Sequence, residues 1–160
     1  MRAVVQRVGW AEVEVSQKVV ARIERGLLVY IGVASDDGEA DAELMAQKVA
    51  NLRIFEDKDD KLNLSVQDVR GGVLAVPNFT LMADTRKGRR PALTDAAAPE
   101  VSRPLYERFV AALAKCECRV VGGVFGACMN IRSAADGPVN IILETPRPGE
   151  LRDNSQEVNR

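Results

Sequence analysis

A chain of 160 residues is long enough to build one hydrophobic core and too short for two ordinary domains. It contains no histidine, which excludes Ser-His-Asp and Cys-His catalysis, imidazole metal ligation and imidazole proton transfer. The 22 basic side chains against 23 acidic ones argue against a general nucleic-acid coat and leave room only for a local basic patch.

Aromatic residues make up 4% of the chain, so the core is expected to be aliphatic. Three cysteines, an odd number, argue against a disulfide framework and for a reducing compartment. Residues 1–7 lack the apolar centre of a secretory signal, and no apolar run approaches the roughly 18 residues of a membrane span. The expected location is the cytoplasm, with no membrane partner.

Valine-rich residues 3–8 predict a first strand. Glu12, Glu14 and Ser16 alternate with Val13 and Val15, the period of a half-exposed second strand. Residues 27–33 are apolar throughout and predict a third strand covered on both faces. Ser35-Asp36-Asp37-Gly38 reads as a turn and helix entry. Met45, Val49 and Leu52 follow at helical spacing, predicting an amphipathic helix over 39–52. The charged run 57–61 lacks the glycine and distal glutamate of a calcium loop and is expected to be a solvated turn. Residues 69–72 turn into a strand at 73–76, and 84–98 form a loop. A second helix is predicted over 101–115, with Leu105, Phe109 and Leu113 on one face and Pro104 in its first turn. Closing strands are expected at 118–121, 128–132 and 139–143. The domain then spans 1–145, and residues 146–160 form a polar tail expected to fray. Many strands, two helices and short connections predict an α+β domain with a largely antiparallel or mixed sheet.

Three segments could carry chemistry. Pro77-Asn78-Phe79-Thr80-Leu81 follows a buried-looking strand, where consecutive backbone N–H groups can stabilise an oxyanion. Thr80 offers a hydroxyl but has no adjacent base, and Asn78 and Thr80 can equally serve only to satisfy a turn. Asp136-Gly137-Pro138-Val139 is a turn signal before a strand. Arg86, Lys87, Arg89 and Arg90 form the densest basic run, suited to phosphates or to a solvated loop. Cys116, Cys118 and Cys128 lack a fourth soft ligand and the Cys-x-x-Cys spacing of zinc sites, so free thiols and no metal are expected. Neither a dinucleotide fingerprint nor a Walker motif is present, so no cofactor is implied.

Read together, these segments resemble a known family. The residues that carry the likeness are Gln6-Arg7-Val8, Gly26-Leu27-Leu28-Val29, Arg53-Ile54-Phe55, Lys61-Leu62-Asn63-Leu64 and Gly72-Val73-Leu74. Phe79-Thr80-Leu81-x-Ala83-Asp84-Thr85, Gly88-x-Arg90-Pro91, Phe125-Gly126-Ala127 and Asp136-Gly137-Pro138-Val139 complete it. In this order, from Met1 to about Leu143, the chain resembles the D-aminoacyl-tRNA deacylases. The resemblance implies one compact β-rich domain with a barrel-like core and two main helices, assembled as a homodimer. It implies hydrolysis of the ester joining a D-amino acid, or glycine, to the terminal adenosine of tRNA, so the 3′ acceptor end is the partner. It further implies that Gly137 and Pro138, joined by a cis bond and steadied by Arg7, enter the partner subunit's site. There their carbonyls would take the substrate's amino group and reject L-amino acids. Phe79 and Thr80, with Asn78, would face the scissile carbonyl, while Phe125 and Met129 would receive the adenine. The basic run would meet tRNA phosphates.

The chain departs from the family's usual SQFTL at Pro77-Asn78, where proline removes a hydroxyl and a backbone donor. Cys128 and Asn140 stand where aspartate and threonine are usual. A related group with a proline-containing first motif has relaxed chirality. The alternatives are therefore a deacylase of mischarged L-aminoacyl-tRNA and a non-catalytic binder of the tRNA end.

Overall fold

Residues 1–146 are described by the structure, a computed structural model. Apart from Pro146, the predicted tail at 146–160 lies outside the described residues. The chain runs β1 (Arg2–Val15), β2 (Lys18–Ile23), β3 (Gly26–Gly32), α1 (Glu39–Ala50), β4 (Phe55–Glu56), β5 (Leu62–Leu64) and β6 (Gly72–Pro77). A 3-10 turn (Phe79–Met82), α2 (Pro99–Lys115), β7 (Arg119–Gly122) and β8 (Asn130–Glu144) complete it.

The two strands expected in the first 16 residues are one, β1, whose first half pairs with β3 and whose second half pairs with β2, both antiparallel. Its other edge pairs along most of its length with β8, which likewise merges two predicted strands. β3 pairs with β6, and β6 with β7, in parallel, so the sheet is mixed, as expected. The order is β2-β1-β3-β6-β7, and β2 curls round to approach β6 and β7, nearly closing a barrel.

The apolar strands β3 and β6 lie between two cores, which explains why they lack polar alternation. Leu27, Val29, Val73 and Ala75 face α1 and α2, together with Met45, Val49, Phe109 and Leu113. Leu28, Leu74 and Val76 face the interior of the curl, with Val8, Val13 and Ile23. At the start of both strands, Gly26 and Gly72 lie so close that a side chain on Gly26 would collide with the Gly72 backbone.

α2 begins two residues earlier than expected. Pro99 takes the first turn, and Pro104 lies inside the helix rather than at its start. The Ala98 carbonyl, accepting from the N–H groups of Val101 and Ser102, sets this earlier start. Pro104 supplies no N–H to the carbonyl of Glu100, four residues before it, which is an exposed residue. The charged run 57–61 closes the β4–β5 hairpin as a solvated turn. There Asp57 accepts from the N–H groups of Asp59 (2.8 Å) and Lys61 (3.2 Å) and from the Asn63 amide (2.8 Å). Among the described residues no helix is long and apolar enough to cross a membrane.

Candidate active site

β6 ends at Pro77, and the chain turns at once. The Asn78 N–H donates to the Ile31 carbonyl at 2.8 Å, which pins the turn to the end of β3. Asn78 then caps the 3-10 turn. Its Oδ1 accepts from the Thr80 N–H at 3.2 Å and from the Thr80 hydroxyl at 2.5 Å. The expected pair of free amides is therefore one. Thr80 spends its N–H on the cap, whereas the Phe79 N–H has no acceptor among the described residues. Phe79 is 59% exposed, so its ring is not there to fill the core.

Beside this turn lies a cavity of about 390 Å³. Ile31, Val33, Leu93 and Ala97 give it apolar walls, and Phe125 and Gly126 close one side. Tyr106 of α2 also lines it. The Tyr106 hydroxyl donates to the Ala75 carbonyl at 3.0 Å, and burial pushes its pKa up to about 12, so it stays neutral. The Phe125 ring stands 6.1 Å from the Tyr106 ring, tilted by 43°. The Arg103 guanidinium lies 4.9 Å from the Phe125 ring centre, a cation–π distance. Sequence reasoning missed both Arg103 and Tyr106. Tyr106 sits beside the apolar stripe of α2, but nothing in its spacing marks it as a pocket residue. Met129 does not line the cavity; it packs against the interior core, with its sulfur against Gly123.

Gly137 and Pro138 are placed elsewhere. Between the pairs Val8–Ala135 and Gln6–Asn140, residues 136–139 bulge out of β8 opposite Arg7. The expected turn before a strand is thus a bulge within one. Arg7 is buried. Its Nη1 donates to the Ile54 carbonyl at 2.8 Å, and its Nε lies 3.2 Å from both the carbonyl and the carboxylate of Asp136. The Gly137–Pro138 bond is cis, and Gly137 has φ of +125°, a region that side chains avoid. Both residues are exposed, and neither lines the cavity of its own chain.

The basic run occupies a loop closed by paired bonds between Asp84 and Ala92, at 2.8 and 2.9 Å. Arg86 grips Asp84 with two guanidinium nitrogens, which holds that carboxyl down at about 2. Lys87, Arg89 and Arg90 are exposed and make no ion pair among the described residues.

Among the described residues the cavity lining holds no carboxylate, amine or thiol. Such a site suits a hydrolase that works by position and main-chain donors on a bond already activated. The chain belongs to the family described as D-Tyr-tRNA(Tyr) deacylase, whose sequence profile matches residues 4–144. A protein of Thermotoga petrophila named D-aminoacyl-tRNA deacylase is 52% identical over 147 residues, covering 92% of this chain and 99% of that one. A namesake from Chloroflexus aurantiacus is 50% identical over 152 residues, covering 95% and 93%. Among solved structures, one titled c-Myc DNA Unwinding Element Binding Protein matches with a TM-score of 0.86 at 38% identity, covering 92% of this chain and all of that one. Another, titled a probable eukaryotic D-amino acid tRNA deacylase, matches in fold with a TM-score of 0.77 at 21% identity, covering 89% and 97%.

Proposed function

We propose that this chain hydrolyses the ester between a D-amino acid, or glycine, and the terminal adenosine of tRNA, a chiral proofreading step in translation. The observation that carries the reading is a Phe79 N–H with no acceptor among the described residues, in a turn that lines an apolar cavity, in a chain of the deacylase family. The terminal adenine enters the cavity against Phe125, and the ester carbonyl meets the Phe79 N–H. An aminoacyl ester needs little beyond orientation and a donor for the developing oxyanion, so a protein without histidine suffices. The ribose 2′-hydroxyl beside the ester can relay the proton. Lys87, Arg89 and Arg90 meet the phosphates of the acceptor end. The three free thiols fit action in the reducing cytoplasm.

The working unit in this reading is a homodimer. β8 pairs only with β1 among the described residues, which leaves a 15-residue strand with an open outer edge and Ile142 68% exposed. Such an edge is a template for a second chain. The partner's Gly137 and the partner's Pro138 then cover the cavity mouth, and their carbonyls hold the amino group in a geometry fit for D-amino acids.

Hydrolysis of D-Tyr-tRNA beside L-Tyr-tRNA and Gly-tRNA tests the reading. The expected result is rapid loss of the D-ester and slower loss of the L-ester. Equal loss of both would indicate relaxed proofreading, and protection of the ester would indicate a binder of the tRNA end.

A further inference from the structure

We infer that the side-chain amide of Asn78 is a second donor to the oxyanion, beside the Phe79 N–H. The inference rests on the deacylase reading and assigns a role within that site.

The orientation of the Asn78 carboxamide follows from its neighbour. A backbone N–H can only donate, so the atom receiving the Thr80 N–H must be oxygen. Oδ1 therefore faces Thr80, and Nδ2 forms the other branch of the planar group. Asn78 lines the cavity and Thr80 does not, and the Nδ2 branch is the one turned away from Thr80.

Elimination points the same way. Among the described residues, three lining side chains carry polar atoms: Asn78, Ser102 and Tyr106. The Ser102 hydroxyl donates to the Ala98 carbonyl at 3.1 Å, and the Tyr106 hydroxyl donates to the Ala75 carbonyl at 3.0 Å. The Asn78 Nδ2 has no acceptor among the described residues, which leaves it as the uncommitted side-chain donor of the lining.

It is also held in place before substrate arrives. The Asn78 N–H bonds Ile31, its carbonyl accepts from Leu81 at 3.3 Å, and Oδ1 carries two bonds from Thr80. A donor fixed in advance stabilises developing charge without reorganising.

In the step this serves, a water oxygen bonds to the ester carbonyl carbon, and the π pair moves onto the carbonyl oxygen, held by Nδ2 and the Phe79 N–H. Collapse re-forms the carbonyl and breaks its bond to the ribose 3′-oxygen. The proton lost by the water reaches that oxygen through the adjacent 2′-hydroxyl.

Single-turnover hydrolysis of D-Tyr-tRNA by Asn78→Ser and Asn78→Asp in the full chain tests this. Serine keeps an acceptor for the cap but removes the amide donor. Its rate should fall ~100-fold or more while tRNA affinity and melting temperature stay near wild type. Aspartate keeps both bonds from Thr80 and regains a donor only when protonated. Its rate relative to wild type should rise at least ~10-fold between about pH 7.5 and about pH 5. If the serine variant does not fold, the aspartate ratio carries the test alone. A serine variant within about threefold of wild type, or an aspartate ratio that stays flat with pH, would overturn the assignment while leaving the deacylase reading intact. Wild-type protein that spares D-Tyr-tRNA would overturn that reading and this one with it.

Discussion

Thr80 is the residue whose chemistry is easiest to misjudge. It carries the one hydroxyl in the 77–81 motif and invites the role of covalent nucleophile. The structure gives that hydroxyl a different use: it donates to Asn78 Oδ1, and among the described residues it bonds no carboxylate or amine that could take its proton. Thr80→Val, which keeps the backbone N–H, should therefore slow D-Tyr-tRNA hydrolysis by no more than about tenfold, the worth of one hydrogen bond. No acyl-enzyme should accumulate in the wild type, as mass spectrometry of quenched turnover mixtures would show. A second residue-scale expectation concerns Asp84. Its carboxyl is held down first by the Arg86 side chain and then by the Arg86 N–H. A depressed folded pKa means that the contact persists as pH falls through the ordinary value of 3.8 and is lost only near about 2. The carboxyl carbon resonance of Asp84 should titrate in that lower range, and the basic loop should keep its closed ends until then.

At the scale of elements, the bulge in β8 depends on a side chain from the neighbouring strand. Four residues of β8 stand opposite the Arg7 position of β1, and Arg7 ties Asp136 to the Ile54 carbonyl just before β4. Lysine has the charge but not the planar fork that reaches both partners. Arg7→Lys should lower the unfolding free energy by about 1–3 kcal/mol, since a buried carbonyl loses its donor. Amide exchange at 136 and 137 should quicken. Denaturant titration with exchange mapping would check both. The same elements show what could be read in advance. β3 and β6 were legible because burial on two faces leaves an unbroken apolar run. β2 was not. It follows a two-residue turn at Ser16 and Gln17, with φ of 48° and 62°, and neither residue is the glycine or asparagine that announces such a turn. β8 read as two strands because Gly137-Pro138 breaks the pattern where the chain bulges without leaving the sheet. The site was legible in part. The 77–81 motif and the Gly-Pro lie in contiguous sequence, whereas the cavity takes its walls from β3, the 93–97 loop, α2 and the 125–126 turn. Periodicity cannot bring four such separate segments together.

At the scale of the whole molecule, the Gly137-Pro138 bulge stands apart from the cavity that the 77–79 turn lines. The donor turn at 78–79 lines a cavity, and the Gly137-Pro138 bulge does not reach that cavity within the same chain. If the bulge acts on a neighbouring copy, two defects in different subunits should complement each other. Phe79→Pro removes the backbone donor at the first position of a helical turn, where proline fits, and leaves the bulge intact. Gly137→Ala leaves the donor turn intact and damages the bulge, because a Cβ there would stand 2.7 Å from the Val139 side chain and 2.8 Å from its nitrogen. Each variant alone should be nearly inactive on D-Tyr-tRNA. After co-refolding in equal amounts, half the dimers are mixed, and each mixed dimer holds one cavity with a sound donor facing a sound bulge. Activity should recover to about a quarter of wild type per subunit, with the recovered fraction migrating as a dimer in sedimentation. Activity that stayed at the level of the separate variants would mean that the bulge does not act on a neighbouring copy, and a Gly137→Ala variant active on its own would place the bulge outside the reaction.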